Sequence, residues 1–215
     1  MPLKRFSWKE NDLYSIQVKN DCYIIAQILE APFAAFFNVV SDKDFNEVDK
    51  AIDLNNETPL IVTMVLKELF RFSASGKIKN KNIIANTHIE LPTLFISKDR
   101  AQYGRYIEGE RDRYNVVYID PEVGDQGLMG NPVFKHDIDS SSEYFESCEL
   151  TGYNTGYQFT RRLLLSLEHN KNIDPLKEVW FHGEDPYPYK TIPEMWELGV
   201  PDYKKEKEEQ RKKKE

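Results

Sequence analysis

At 215 residues, the chain is long enough to bury a core of its own without disulfide or metal staples. Two cysteines, Cys22 and Cys148, are too few for a disulfide framework. The net charge is −7, and the tail 204–215 holds seven Lys/Arg against four Glu, which leaves −10 on residues 1–203. An acidic body repels phosphate backbones and so argues against nucleic acid; it suits a basic protein partner, which it would steer inward. No window approaches the roughly 18 apolar residues of a membrane span. Met1–Asn11 carries no signal-peptide pattern, so the expected compartment is the cytosol.

Three apolar runs open the chain: Leu13–Val18, Cys22–Leu29 and Phe33–Val40. The gaps between them are three residues each, too short for a parallel crossover, so they read as an antiparallel three-strand meander. In the first run Tyr14, Ile16 and Val18 share one face, with Ser15 and Gln17 on the opposite, outward one. The second run is apolar on both faces, which puts it in the middle of the sheet and makes Cys22 a small core residue. Phe45, Val48 and Ile52 have the spacing of a short amphipathic helix. Leu60–Met64 reads as a strand passing into a helix over 65–74, ended by Gly76. Ile83–Ala85 and Leu94–Ser97 are further short strands. Tyr103–Ile107 and Tyr114–Ile119 read as a hairpin around Glu108–Arg113, with Gly109 in its turn.

The glycines and proline in 121–136 indicate a loop. Thr155 caps a helix over 156–169, with Phe159, Leu163, Leu164 and Leu167 as its apolar stripe and Arg161 and Arg162 on its polar side. Residues 179–203, with four prolines, read as irregular structure. The fold class that follows is α+β: a bent, mostly antiparallel sheet of six or seven strands, partly barrel-like, with two or three packed helices. The expected organisation is one domain over 1–203, with an extension from about 171, and a charged tail over 204–215.

Chemistry-bearing patterns are sparse. His88, His136, His169 and His182 are scattered, without H-x-H, H-E-x-x-H or C-x-x-C spacing, so no metal site is expected. His136 with Asp137 and Asp139, and His182 with Glu184 and Asp185, read as solvated polar turns. No nucleophile elbow or phosphate-binding loop occurs, and acids around Cys148 would raise its thiol pKa. No catalytic residue and no cofactor are assigned. One stretch stands out as a partner-binding surface: Asp137, Asp139, Glu143, Tyr144, Glu146 and Glu149, in which carboxylates supply steering and an aromatic ring supplies an anchor.

Glu10-Asn11-Asp12-Leu13-Tyr14-Ser15-Ile16, the Tyr-containing strand after it and the strand ending in aromatic-Phe resemble the immunity protein 26 family. Leu60–Met64 with its helix and Gly76-Lys77, and the acidic run into Glu146-Ser147-Cys148-Glu149-Leu150, resemble later parts of that family. Asn11 stands where the family usually has Gly, and Asn tolerates the left-handed turn. The resemblance implies a protein of bacterial polymorphic toxin systems that binds and blocks a cognate toxin by occlusion, without catalysis. The family is also linked to a protein described as a phosphotriesterase, which leaves a metal-dependent hydrolase as an alternative. A small-barrel interaction module is another.

Overall fold

The computed structural model describes residues 6–99, 112–127, 130–152, 156–187, 191–201 and 212. Its strands are β1 (Leu13–Lys19), β2 (Cys22–Ile28), β3 (Phe33–Ser41), β4 (Ile52–Asp53), β5 (Pro59–Met64), β6 (Ala74–Lys77), β7 (Ile83–Ile84), β8 (Leu94–Lys98), β9 (Tyr114–Tyr118), β10 (Val133–Ile138) and β11 (Glu149–Leu150). Its helices are α1 (Lys67–Ser73), α2 (Glu143–Ser147), α3 (Gly156–His169), α4 (Pro175–His182) and α5 (Ile192–Glu197). Contacts gather the chain into two compact units: residues 1–89 with 153–175 and 186–215, and residues 90–152 with 176–185.

The class is α+β and the N-terminal meander is present, with β1 antiparallel to β2 and β2 antiparallel to β3. The single barrel-like sheet of six or seven strands is not. Among the described residues the strands form three open sheets, ordered β5-β3-β2-β1-β6, β10-β9-β8-β11 and β4-β7. The reason is pairing choice. The meander takes β5 on one side and β6 on the other, while the strands after residue 90 pair with each other. None of the three sheets closes. Among the described residues five helices, rather than two or three, accompany them.

In the first unit, one face of the five-stranded sheet is covered by α1 and α3. Tyr14, Ile16, Val18, Ile24, Ala26 and Phe36 point into this core together with Leu69, Phe70, Phe159 and Leu163. Phe70 is its hub: its ring lies 5.0 Å from Phe6, 5.4 Å from Tyr14, 6.2 Å from Trp8 and 6.4 Å from Phe36. Trp8 also ties the lead-in down by donating its indole N–H to the Leu29 carbonyl at 2.9 Å. Asn11 holds φ at 64°, so the left-handed turn that Gly would serve is kept by Asn.

The opposite face is not open to water, and Ser15 does not face outward. Ser15 is buried, and its Oγ accepts the Phe45 backbone N–H at 3.3 Å. The segment from 42 to 58 makes turns, the short strand β4 and a 3-10 turn rather than the expected helix, and asparagine side chains add to the backbone pairing of β4 with β7. Asn80 Nδ2 donates to the Val48 carbonyl at 2.6 Å, and Asn46 Oδ1 accepts the Lys79 N–H at 2.8 Å. Asn55 Oδ1 accepts the Thr87 N–H at 3.0 Å, and Asn86 Nδ2 donates to the Glu57 carbonyl at 3.3 Å. These four side chains mimic peptide groups and lace 42–58 to 77–88.

The centre of this lacing is Gln27. Its amide donates to the Asn86 carbonyl at 2.6 Å and accepts the Asn86 N–H at 2.9 Å. Gln27 is 0% exposed. A buried amide must find such partners, since leaving it unpaired would cost more than its burial returns.

Other details differ from the sequence reading. Gly76 does not end α1; it lies inside β6, and Ala74 turns from helix directly into extended backbone (φ −77°, ψ 127°). Arg162 is buried rather than solvated, because Asp174 sits 3.3 Å away and Asn172 Oδ1 accepts from it at 2.7 Å. The stretch read as a loop up to 136 contains most of β10, and 179–203 contains the end of α4 and all of α5. Prolines misled there: Pro193 sits in the first turn of α5, where a missing N–H costs nothing. Thr191 and Glu194 complete a capping box on α5. The expected partner strand 103–107, the Thr155 cap and most of the charged tail fall outside the described residues.

Candidate functional site: an acidic surface around an exposed aromatic ring

The second unit carries the stretch singled out above. Its sheet buries Ile96, Tyr114, Val116, Ile138, Cys148 and Leu150, with Trp180 and Phe181 of α4 packed on them. Tyr114 stacks on Trp180 at 5.2 Å and meets Phe181 at 4.6 Å. Lys177 is held inside: its Nζ donates to the Cys148 carbonyl at 2.8 Å and stands 5.2 Å from the Phe145 ring. Cys148 is itself buried, and burial, more than the neighbouring Glu149, pushes its thiol up; Cys22 is pushed up in the same way. Neither thiol is set up as a nucleophile.

On this base stands β10, the edge strand of its sheet. Val133 to Asp137 are all exposed, and only Ile138 reaches the core. Its pairing with β9 is irregular, shifting register twice, and Asp137 takes φ 48°. The Asp137 N–H is then met by Asn115 Oδ1 at 2.9 Å. Beyond β10 the chain turns through Asp139, whose carboxylate accepts the Ser141 N–H at 2.9 Å and its hydroxyl at 2.6 Å. Ser142 caps α2 by accepting the Tyr144 N–H, which aims Glu143 and Glu146 at solvent and Phe145 at the core.

The structure thus places five of the six expected residues on one short path. Asp137, Asp139, Glu143 and Glu146 are exposed, and Tyr144 is half-buried. Glu149 is different: it is 7% exposed, in β11, paired in parallel with Phe95 of β8. The sequence reading missed Phe134. Its ring is 60% exposed and lies edge-on to Tyr144 at 6.0 Å. A lone Phe in a Gly-rich, Pro-containing stretch gives no periodic signal, which is why it was passed over. A large exposed ring beside a second aromatic, among carboxylates, is the composition of a protein-binding surface.

The histidines do not converge with it as ligands. His136 lies exposed on β10, and His182 faces Glu178 Oε2 at 2.7 Å, one helical turn away. Among the described residues no group of three or more His, Cys, Asp or Glu is arranged to hold a metal ion. Among them also, no helix is long and apolar enough to cross a membrane.

Tyr114 offers a pH test of this base. Its hydroxyl is pushed from 10.0 up to about 12 by burial, and then by the charge and hydrogen bond of Asp112. Below pH 10 the phenol is neutral folded or unfolded. Above it the unfolded chain ionises and the folded one does not, so stability falls as pH rises from about 10 to about 12. Burial also pushes up the Tyr14 and Tyr23 hydroxyls, so tyrosinate absorbance should show several late-titrating phenols, and Tyr114→Phe should remove one tyrosine equivalent of the late absorbance and flatten the alkaline loss of stability. Late absorbance unchanged by Tyr114→Phe would assign that step elsewhere.

No curated protein and no solved structure matches the chain. Residues 3–184 match a family described as a domain of unknown function, DUF8309. With most of the chain inside that match, the protein belongs to the DUF8309 family.

Proposed function

We propose that this protein is a cytosolic binding protein of the immunity type, which neutralises a basic bacterial toxin by covering it. The observation that carries the reading is the exposed Phe134 ring against Tyr144, at 6.0 Å, with Asp137, Asp139, Glu143 and Glu146 exposed around it. The resemblance of residues 10–16 and their following strands to the immunity protein 26 family points the same way. The −10 carried by residues 1–203 would draw a basic partner in, and the aromatic pair would lose its water on contact. Occlusion needs no reacting group, only complementarity, so binding rather than catalysis is the proposed mechanism. The partner is a protein rather than a membrane or a nucleic acid.

Co-expression with a toxin domain encoded beside this gene tests the reading. Wild-type protein is expected to restore growth and to co-purify with the toxin, and Phe134→Ala with Tyr144→Ala to lose both. If no neighbouring toxin candidate is bound or neutralised, the reading fails.

A further inference from the structure

The first unit has a feature that the acidic surface does not use. β2 pairs with β3 out to Ser41, with a bulge at Asn38 and Val39 between the Phe37 and Val40 pairs, but β5 on the other side stops at Phe37, opposite Pro59. Pro59, which has no N–H to donate, is the last residue of β5 to pair with β3. Among the described residues the outer edge of 38–41 therefore has no strand partner. That edge is one wall of an open cleft of about 440 Å³, whose far wall includes Ile52, Asp53 and Glu57. Val40 is 54% exposed in it. Asp42, Asp53 and Glu57 are among the lining residues, three acids against one base, Lys50, with one Asp53 oxygen already accepting from Asn55.

We infer that this cleft binds an extended basic peptide segment of another protein, added as a strand along residues 38–41 of β3. The free backbone edge supplies main-chain hydrogen bonds, which hold any extended chain. Val40 and Ile52 supply apolar contact for the added chain. The acidic side chains select Lys or Arg beside them and reject an acidic chain. The bulge at Asn38 and Val39 limits regular strand pairing to the Val40–Ser41 end of the edge, so the bound segment is short. This site shares no residue with the surface around Phe134 and does not depend on it.

The probe is a fluorescein-labelled hexapeptide, Lys-Val-Lys-Val-Thr-Val, titrated into the full chain by fluorescence anisotropy, with backbone amide shifts followed by NMR. Saturable binding is expected, with shift changes at 38–42 and 52–57. The same peptide N-methylated at alternate residues keeps its side chains and charge but loses its strand-forming N–H groups, and should bind at least about tenfold more weakly. The exposed-site variant Asp42→Lys with Glu57→Lys should weaken the unmodified peptide to a similar extent while keeping the wild-type spectral dispersion. Absence of saturable binding, equal affinity for the N-methylated peptide, or shift changes confined to 133–147 would each overturn the inference.

Discussion

Phe70→Ala should lower the stability of the chain by about 3–5 kcal/mol, the range for emptying a buried aromatic site. Phe70 is 0% exposed and contacts four other rings, from Phe6, Trp8, Tyr14 and Phe36. Two of these come from the lead-in before β1, so the cavity would also release the segment that Trp8 pins to Leu29. α1 is only seven residues long and has no side-chain N-cap, so it holds its place through this packing rather than through helix propensity. Urea unfolding measures the loss directly, and each kcal/mol should move the thermal midpoint by about 2–4 °C in a chain of this size. Phe70→Leu, which keeps much of the volume, should recover a large part. A loss below about 1 kcal/mol would mean that the ring cluster collapses freely around the gap.

Gln27→Leu should be the most damaging polar change. Leucine fits the volume and adds apolar burial, yet it leaves the Asn86 N–H and C=O without the amide that meets both. Each buried group left unsatisfied costs about 1–3 kcal/mol. The expected net loss is about 2 kcal/mol or more, accompanied by faster hydrogen exchange at the Asn86 amide than in the wild-type chain, where Gln27 accepts it. The effect should reach further than the site. Asn86 also bonds the Glu57 carbonyl and its Oδ1 caps the His88 N–H, so the lacing of 42–58 to 77–88 depends on its position. Unchanged stability with unchanged exchange would show that the second face is held by Phe45 and Leu54 alone.

The meander could be read from sequence because short gaps and period-two apolarity act locally. β1 to β3 and α3 form close to where those patterns end. What covers the meander could not be read. Ser15 and Gln27 are polar, and nothing near them in sequence says that Phe45 and Asn86, 30 and 59 residues away, will meet them. Asparagines that bond backbone at long range look identical to asparagines in solvated turns. Arg162 is the same case: its partners Asn172 and Asp174 come from beyond the helix end. β10 was hidden by its own irregularity, since a strand with two register shifts and five exposed residues has no alternation to detect. α5 was hidden differently. Its Thr191-x-x-Glu194 box was present in the sequence, but the proline count of the region outweighed it. For the candidate site, the acids and Tyr144 were visible as composition. That Phe134 belongs with them, and that Glu149 turns inward, depends on the β10 edge and on the parallel pairing of β11 with β8.

The proposed role rests on Phe134 and the carboxylates near it acting as one surface. Isothermal titration of the purified toxin domain encoded beside this gene, against wild-type protein and surface variants, measures that most directly. Phe134→Ala is expected to weaken binding by about 10- to 30-fold, the loss of an anchor worth roughly 1.4–2 kcal/mol. Glu143→Lys with Glu146→Lys should weaken it further and reduce its salt dependence, while Glu168→Lys on the exposed end of α3 leaves it unchanged. Toxin binding that survives both Phe134→Ala and the charge reversals at wild-type affinity would contradict the assignment of this surface.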